Sequence, residues 1–183
     1  MWSPPRQLVL ETASICNLQC PQCWVGLRQT KREVRLMSMD LFEKVCMEAQ
    51  RYVHHVYLHL WGEPTLNKDL GKMIRRVKEF ATIDLATNGL FITEELASDI
   101  ALCDTISVSI DGVDQATYEK YRVGGQLSKA LEGMKLLASK AVGKVGWTFV
   151  VFRDNEHQIE TAAKMAAQIG VRFGAKPPAF WDV

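Results

Sequence analysis

Thr105-Ile-Ser-Val-Ser-Ile-Asp-Gly112 decides the fold. The run is rich in β-branched residues and stops at Asp-Gly, so it predicts a strand over 105–110. Successive residues on a strand point to opposite faces of the sheet. Ser107, Ser109 and Asp111 therefore share one face, and Ile106, Val108 and Ile110 share the other. A parallel sheet covered by helices on both sides reads instead as a nearly continuous apolar run. One polar face is what a solvated lumen holding a polar ligand would show; the alternative is that Ser107 and Ser109 are small core residues bonded to backbone.

The same division recurs on either side. Asp84 falls with Asn88, His59 falls with Trp61, and Glu11 lies opposite Leu8 and Leu10. Further strands are expected over Gln7–Ala13, His55–Leu60, Thr82–Ala86, Val145–Phe152 and Val171–Gly174. Helical segments lie between them: from a cap at Ser38 or Asp40 to Tyr52, over Leu66–Phe80, and from Thr93 to Leu102. Asp114–Tyr121, Leu127–Lys140 and His157–Ile169 complete the set. A helix between each pair of strands is the pattern of right-handed βαβ units and a parallel sheet. A closed eight-unit barrel takes roughly 250 residues, so 183 residues suit six units. The expected class is α/β, a partial (β/α)6 TIM-like barrel with outer helices. A flat doubly wound sheet is the alternative that periodicity leaves open.

Bulk properties narrow the function without naming it. A hydrophobic fraction of 48% in 183 residues is enough for one sizeable core, so one domain over residues 1–183 is expected. Twenty-two basic residues against 21 acidic ones give no broad field of either sign. Nothing in that balance argues for nucleic acid or an anionic membrane as a partner. No run approaches the roughly 18 apolar residues of a spanning helix, and residues 1–6 do not resemble a secretory signal. Five cysteines, three of them clustered, suit a reducing cytoplasm better than a disulfide framework.

Those three lie in Ile15-Cys-Asn-Leu-Gln-Cys-Pro-Gln-Cys-Trp24. Iron–sulfur clusters are ordinarily held by four thiolates. Cys16, Cys20 and Cys23 on one loop can hold three irons of a [4Fe–4S] cube and leave the fourth open. An open metal position marks a chemical site rather than a structural one. Structural zinc is a poor alternative, because the nearest histidines, His54 and His55, lie across an expected helix.

Three further motifs sit at expected strand ends: Trp61-Gly-Glu-Pro64, Thr87-Asn-Gly89 and Ser109-Ile-Asp-Gly112, followed by Tyr121-Arg-Val-Gly-Gly125. In such folds ligands bind at the carboxyl ends of the strands. With the cysteine loop, these motifs make the chain resemble the radical S-adenosylmethionine (SAM) superfamily from Gln7 to about Lys176, and most of all its SPASM-associated branch. The resemblance implies that Cys16, Cys20 and Cys23 ligate a [4Fe–4S] cluster whose open iron is chelated by SAM. It implies that Gly62 and Glu63 meet the ammonium group, Ser109 and Asp111 the ribose, Asn88 the nucleoside and Arg122 the methionyl carboxylate. One electron would then cleave SAM to a 5′-deoxyadenosyl radical, which takes hydrogen from a small-molecule or peptide substrate. The electron would come from a low-potential donor such as flavodoxin or ferredoxin.

Two features depart from that pattern. Gln22 stands where an aromatic residue is usual, with Trp24 just beyond, either covering the cluster or adenine or simply packing. Many SPASM-type proteins also continue into a cysteine-rich region, and this chain stops near the sixth strand without one. A non-catalytic reading, an electron carrier or an inactive barrel remnant, is the alternative, yet a carrier needs neither an open iron nor a polar lumen. Cys46 and Cys103 are expected to be inert buried thiols. Lys72, Arg75, Arg76 and Lys78 make a basic helix face, which would face solvent or dock an acidic donor.

Overall fold

The computed structural model describes residues 3–178. Its six strands are β1 (Gln7–Val9), β2 (His55–Tyr57), β3 (Thr82–Thr87), β4 (Thr105–Ser109), β5 (Val145–Val150) and β6 (Arg172–Lys176). The helices between them are α1 (Met39–Ala49), α2 (Leu70–Lys78), α3 (Glu94–Ile100), α4 (Gln115–Tyr121), α5 (Leu127–Lys140) and α6 (Ile159–Ile169). All neighbouring strands pair in parallel, in the order β1-β2-β3-β4-β5-β6. Because each crossover advances one strand in the same direction and has the same hand, every helix falls on one side of the sheet. A doubly wound sheet needs its strand order to reverse, and this one never does. The open partial barrel is therefore the fold.

Helix starts follow from local chemistry. The Ser38 hydroxyl accepts from Leu41 N–H, Thr93 from Leu96 N–H, and the Asp114 carboxylate from Thr117 N–H, each satisfying a donor the helix itself leaves orphaned. Gly170 ends α6 at φ 82°, the left-handed conformation that glycine reaches without strain.

Several expected boundaries move, β2 ending at Tyr57 and β5 at Val150 among them, and two of the shifts have a visible cause. β1 ends at Val9 rather than Ala13, because the chain beyond turns to serve the loop: the Glu11 carboxylate accepts from Trp61 and Gly62 N–H, and Ala13 bridges antiparallel to Leu36. α2 starts at Leu70 rather than Leu66, after a separate 3-10 turn at Pro64–Leu66. Between them the Asn67 amide donates to Thr12 and Met37 carbonyls, pinning the link to the first strand segment. β6 extends to Lys176, two residues past the expected Gly174.

The core lies between the outer face of the sheet and the helices. A single hydrophobic cluster runs from Leu10 to Val171, with Ile83, Leu85, Ile106, Val108, Trp147 and Phe149 from the strands, and Met73, Ile100, Met134 and Ala166 from the helices. Cys46 and Cys103 belong to it, and burial pushes their thiols up to about 11 and about 12. No helix among the described residues is long and apolar enough to cross a membrane.

Candidate active site at the strand ends

The inner face opens at its carboxyl end into a cavity of about 310 Å³. Cys16, Cys20, Cys23, Gly62, Glu63, Asn88, Ser109 and Arg122 all contribute to its wall. Eight of the nine site residues expected from sequence are thus brought together, seven from the segments at the ends of β1 to β4 and Arg122 from the end of α4. Asp111 is the ninth and is elsewhere.

Close backbone packing shapes the cysteine loop. A Cβ at Gly62 would stand 1.9 Å from Ala13 O, and one at Gly26 would stand 2.6 Å from both Cys20 N and Cys20 O. Only glycine lets the chain pass so near at either point. Glu63 N–H donates to Ile15 O at 2.8 Å, and Gln19 N–H to Val123 O at 3.0 Å. The loop is thereby clamped between the Trp-Gly-Glu-Pro turn and the Tyr-Arg-Val-Gly-Gly segment. Leu18 N–H points at Cys16 Sγ at 3.4 Å, a backbone donor aimed at sulfur.

Two of the expected carboxylates have their partners inside the protein. Asp111 is fully buried and both of its oxygens are engaged, with Val150 N–H at 2.6 Å and Arg122 Nε at 2.5 Å. It is therefore not on the cavity wall for a ribose; it anchors Arg122. Burial alone would lower the Arg122 guanidinium, but the Asp111 carboxylate more than offsets this and keeps it charged. Glu63 likewise turns inward. Its Oε1 accepts from Thr65 N–H, Thr65 Oγ1 and Thr87 Oγ1, and its Oε2 from Asn88 N–H. Burial pushes this carboxyl up, against the pull of those donors. Its carboxylate ties the ends of β2 and β3 together rather than standing free for an ammonium group.

The other expected residues do face the cavity. The Asn88 amide is held by donation to Asn17 Oδ1 at 2.8 Å. Ser109 is half-buried, and its hydroxyl has no hydrogen-bond partner among the described residues. Trp24 does not cover the cavity; it is 36% exposed and borders a separate hollow, while Gln22 takes a place on the wall. The wall also includes Tyr121, which opens the Tyr-Arg-Val-Gly-Gly motif, and His59 and Lys176, which belong to none of the motifs. His59 Nδ1 accepts from Ala86 N–H, which places its proton on Nε2, and burial lowers the imidazole despite nearby Asp84. Strand parity could have found Lys176, since it pairs with Val150, had β6 been read two residues longer.

The donor set suits a cluster better than a single ion. Among the described residues no three His, Cys, Asp or Glu side chains are placed to hold one metal ion. Zinc needs its sulfur donors about 2.3 Å from one point, whereas a cluster takes one thiolate per iron. Burial pushes the Cys16 thiol up to about 11 and also raises Cys20, which Arg122 pulls back through its charge and a hydrogen bond. Metal binding would replace those protons. The Tyr118 hydroxyl is buried with no hydrogen-bond partner among the described residues, and burial pushes it up to about 12.

Comparison with known proteins agrees with this geometry. Residues 10–166 match the Radical SAM superfamily. The mycofactocin maturase MftC of Mycolicibacterium smegmatis is 28% identical over 174 residues, covering 91% of this chain and 43% of the relative. A probable GTP 3′,8-cyclase of Saccharolobus islandicus is 24% identical over 172 residues, covering 92% and 55%. Streptococcus suis SuiB, solved bound to S-adenosylmethionine, superposes with a TM-score of 0.81 at 19% identity, over 97% of this chain and 42% of that one. SuiB has also been solved bound to its precursor peptide SuiA, with a TM-score of 0.79 at 18% identity over 96% and 40%. The chain thus spans about half the length of the curated relatives it matches.

Proposed function

This chain belongs to the radical SAM superfamily, whose cofactors are a [4Fe–4S] cluster and SAM, and from that premise we propose that it cleaves SAM reductively to start radical chemistry on a peptide substrate. The observation that carries the proposal is the convergence of Cys16, Cys20 and Cys23 with Gly62, Asn88, Ser109 and Arg122 on one cavity at the carboxyl ends of parallel strands. When bound, the cluster and SAM supply one-electron cleavage of a carbon–sulfur bond and a 5′-deoxyadenosyl radical that takes a hydrogen atom from substrate.

The protein's own residues bind, orient and shield. Cys16, Cys20 and Cys23 hold the cluster by three thiolates. Gly62, pressed against Ala13, brings the backbone of its turn to the cavity wall. The Arg122 nitrogens not engaged by Asp111 meet the methionyl carboxylate, since guanidinium and carboxylate match in shape and charge. The Ser109 hydroxyl meets the ribose, and Asn88, fixed by Asn17, orients the nucleoside. Glu63 and Asp111 act one step back, holding strand ends and guanidinium in place. A peptide is favoured as the substrate because MftC is a maturase and SuiB binds a precursor peptide. We assign the chain to one core domain, on the strength of the single hydrophobic cluster among the described residues. A reducing cytoplasm suits the free cysteines, and a low-potential protein such as flavodoxin or ferredoxin suits the need for one electron.

The test is anaerobic reconstitution with iron and sulfide, then dithionite and SAM, with 5′-deoxyadenosine as readout. Wild type should form it. A protein that carries a full cluster and forms none would end the catalytic reading. Cys20→Ala should lose both cluster absorbance and product; product surviving that change would refute the ligand assignment.

A further inference from the structure

The basic helix face read from the sequence is not a free surface. Lys72 pairs with Asp69, Arg75 with Asp99, Arg76 with Glu43 and Glu79, and Lys78 with Asp104. Each cation of α2 is thus answered by a neighbouring carboxylate, and the face offers little net charge to a partner.

A local excess of positive charge lies in the connector between the cysteine loop and α1. Residues 24–37 carry Arg28, Lys31, Arg32 and Arg35 against one carboxylate, Glu33, in a chain whose total is only +1. The rest of the chain is therefore net acidic. Arg35 pairs with Glu33, and Arg32 with Glu11, while Arg28 and Lys31 have no ion pair among the described residues. Apolar surface is concentrated beside them: Trp24 is 36% exposed, Leu27 43%, Val34 70% and Leu36 44%. Apolar groups ringed by charge of one sign are how docking faces are built. Arg28 also has φ 54°, the positive value that among described non-glycine residues it alone adopts. Arg28 is exposed on the segment that follows Cys23.

The position of this face is what gives it a function. A shallow hollow of about 450 Å³ is lined by Trp24, Gln29, Thr30, Lys31, Arg32 and Trp61. Trp61 also lines the cysteine cavity, and the Cys23 Sγ lies 4.0 Å from Trp61 O. Trp24 directly follows Cys23 in sequence. Trp61 thus links the hollow beside the basic connector to the cysteine cavity, and Trp24 borders that hollow from the connector itself.

We propose that the connector over residues 24–36 is the docking face for an acidic one-electron donor protein, seated on Arg28 and Lys31 beside the hollow that Trp24 and Trp61 line. The inference rests on the SAM-cleavage reading, since only that reaction needs the electron. The docked donor is oxidised by one electron, which passes to the iron–sulfur group and then to the sulfonium; the carbon–sulfur bond breaks, leaving methionine and a carbon radical. Charge complementarity sets the encounter rate and its salt dependence.

The test uses the reconstituted protein with an acidic flavodoxin as probe, and compares wild type with Arg28→Glu/Lys31→Glu. Affinity is read by calorimetry with oxidised flavodoxin, and 5′-deoxyadenosine formation is read separately with reduced flavodoxin and with dithionite. The double reversal should weaken flavodoxin binding about tenfold or more and flatten its salt dependence. Flavodoxin-driven product should fall in step, dithionite-driven product should stay within about twofold, and Lys72→Glu on α2 should change neither. Arg28→Lys/Lys31→Arg, which keeps the charge, should bind as wild type. Unchanged binding on reversal would overturn the docking face. A parallel loss with dithionite would also overturn it, assigning the connector to the cysteine loop's own structure or to the substrate peptide. Failure of the SAM-cleavage reading would show differently, as absent product with dithionite in wild type while the binding comparison still reads out.

Discussion

On the outer face of the sheet, Ile83, Leu85, Ile106, Val108, Trp147 and Phe149 are all buried to within 1% of full burial. On the inner face, Asp84, Ala86, Ser107, Ser109, Thr148 and Val150 alternate with them and are only half-buried. Both sets belong to the same three strands. The outer residues have nothing to offer but area, and their burial against the helices is worth roughly 25 cal/mol per Å². Four of those six inner residues, Asp84, Ser107, Ser109 and Thr148, carry hydrogen-bonding side chains; Ser107 and Thr148 answer one another at 2.6 Å, and Ser109 is left open among the described residues. One face therefore holds the barrel together and the other is free to be chosen for its ligand.

The comparison fails if either face does the other's work, and the largest expected effect is on the outer side. Trp147 is 1% exposed, and its indole N–H donates to Ile110 O at 2.7 Å. Trp147→Ala should cost about 3–5 kcal/mol through the cavity and the orphaned carbonyl, measured by urea unfolding. A loss below about 1 kcal/mol would mean that the outer face is not the core.

Arg122 and Asp111 sit where the two faces meet, and the next effect tests that boundary. Arg122→Ala leaves a fully buried carboxylate without its partner, and should cost about 3–5 kcal/mol. Arg122→Met with Asp111→Asn removes both charges and should cost clearly less than the single change. Equal losses for the single and double variants would show that packing, not the ion pair, holds this corner.

Much of this contrast was legible in the sequence, because alternation along a strand is a local property. Ser107 and Ser109 declare their side by parity alone, the cysteine loop declares itself by spacing, and α5 was read to its last residue. What was not legible depends on partners distant in the chain. Glu63 and Asp111 look like free carboxylates at strand ends. Their actual donors include Thr87 and Asn88 for one, and Val150 and Arg122 for the other, each supplied by a different segment. The basic face of α2 looks open for the same reason: Glu43, Asp99 and Asp104 reach it only once the helices pack side by side. A sequence shows which groups carry charge, but not which charges have already been satisfied.

Ser109 gives the smallest effect on stability and the sharpest separation of the two faces. Its side chain contributes no hydrogen bond to another described residue, and it is not part of the buried core. Ser109→Ala should therefore shift unfolding by no more than about 0.5 kcal/mol. If the hydroxyl meets the ribose, the same change removes one hydrogen bond to the ligand, worth about 1 kcal/mol. SAM affinity of the reconstituted protein should then fall about fivefold, read by calorimetry. Ser107→Ala is the control one turn of the pleat away, because its hydroxyl is already spent on Thr148. That variant should lose some stability and little SAM affinity. If the two serines exchanged these behaviours, the lumen would still be polar, but the ligand would have to sit deeper in the barrel than the strand ends.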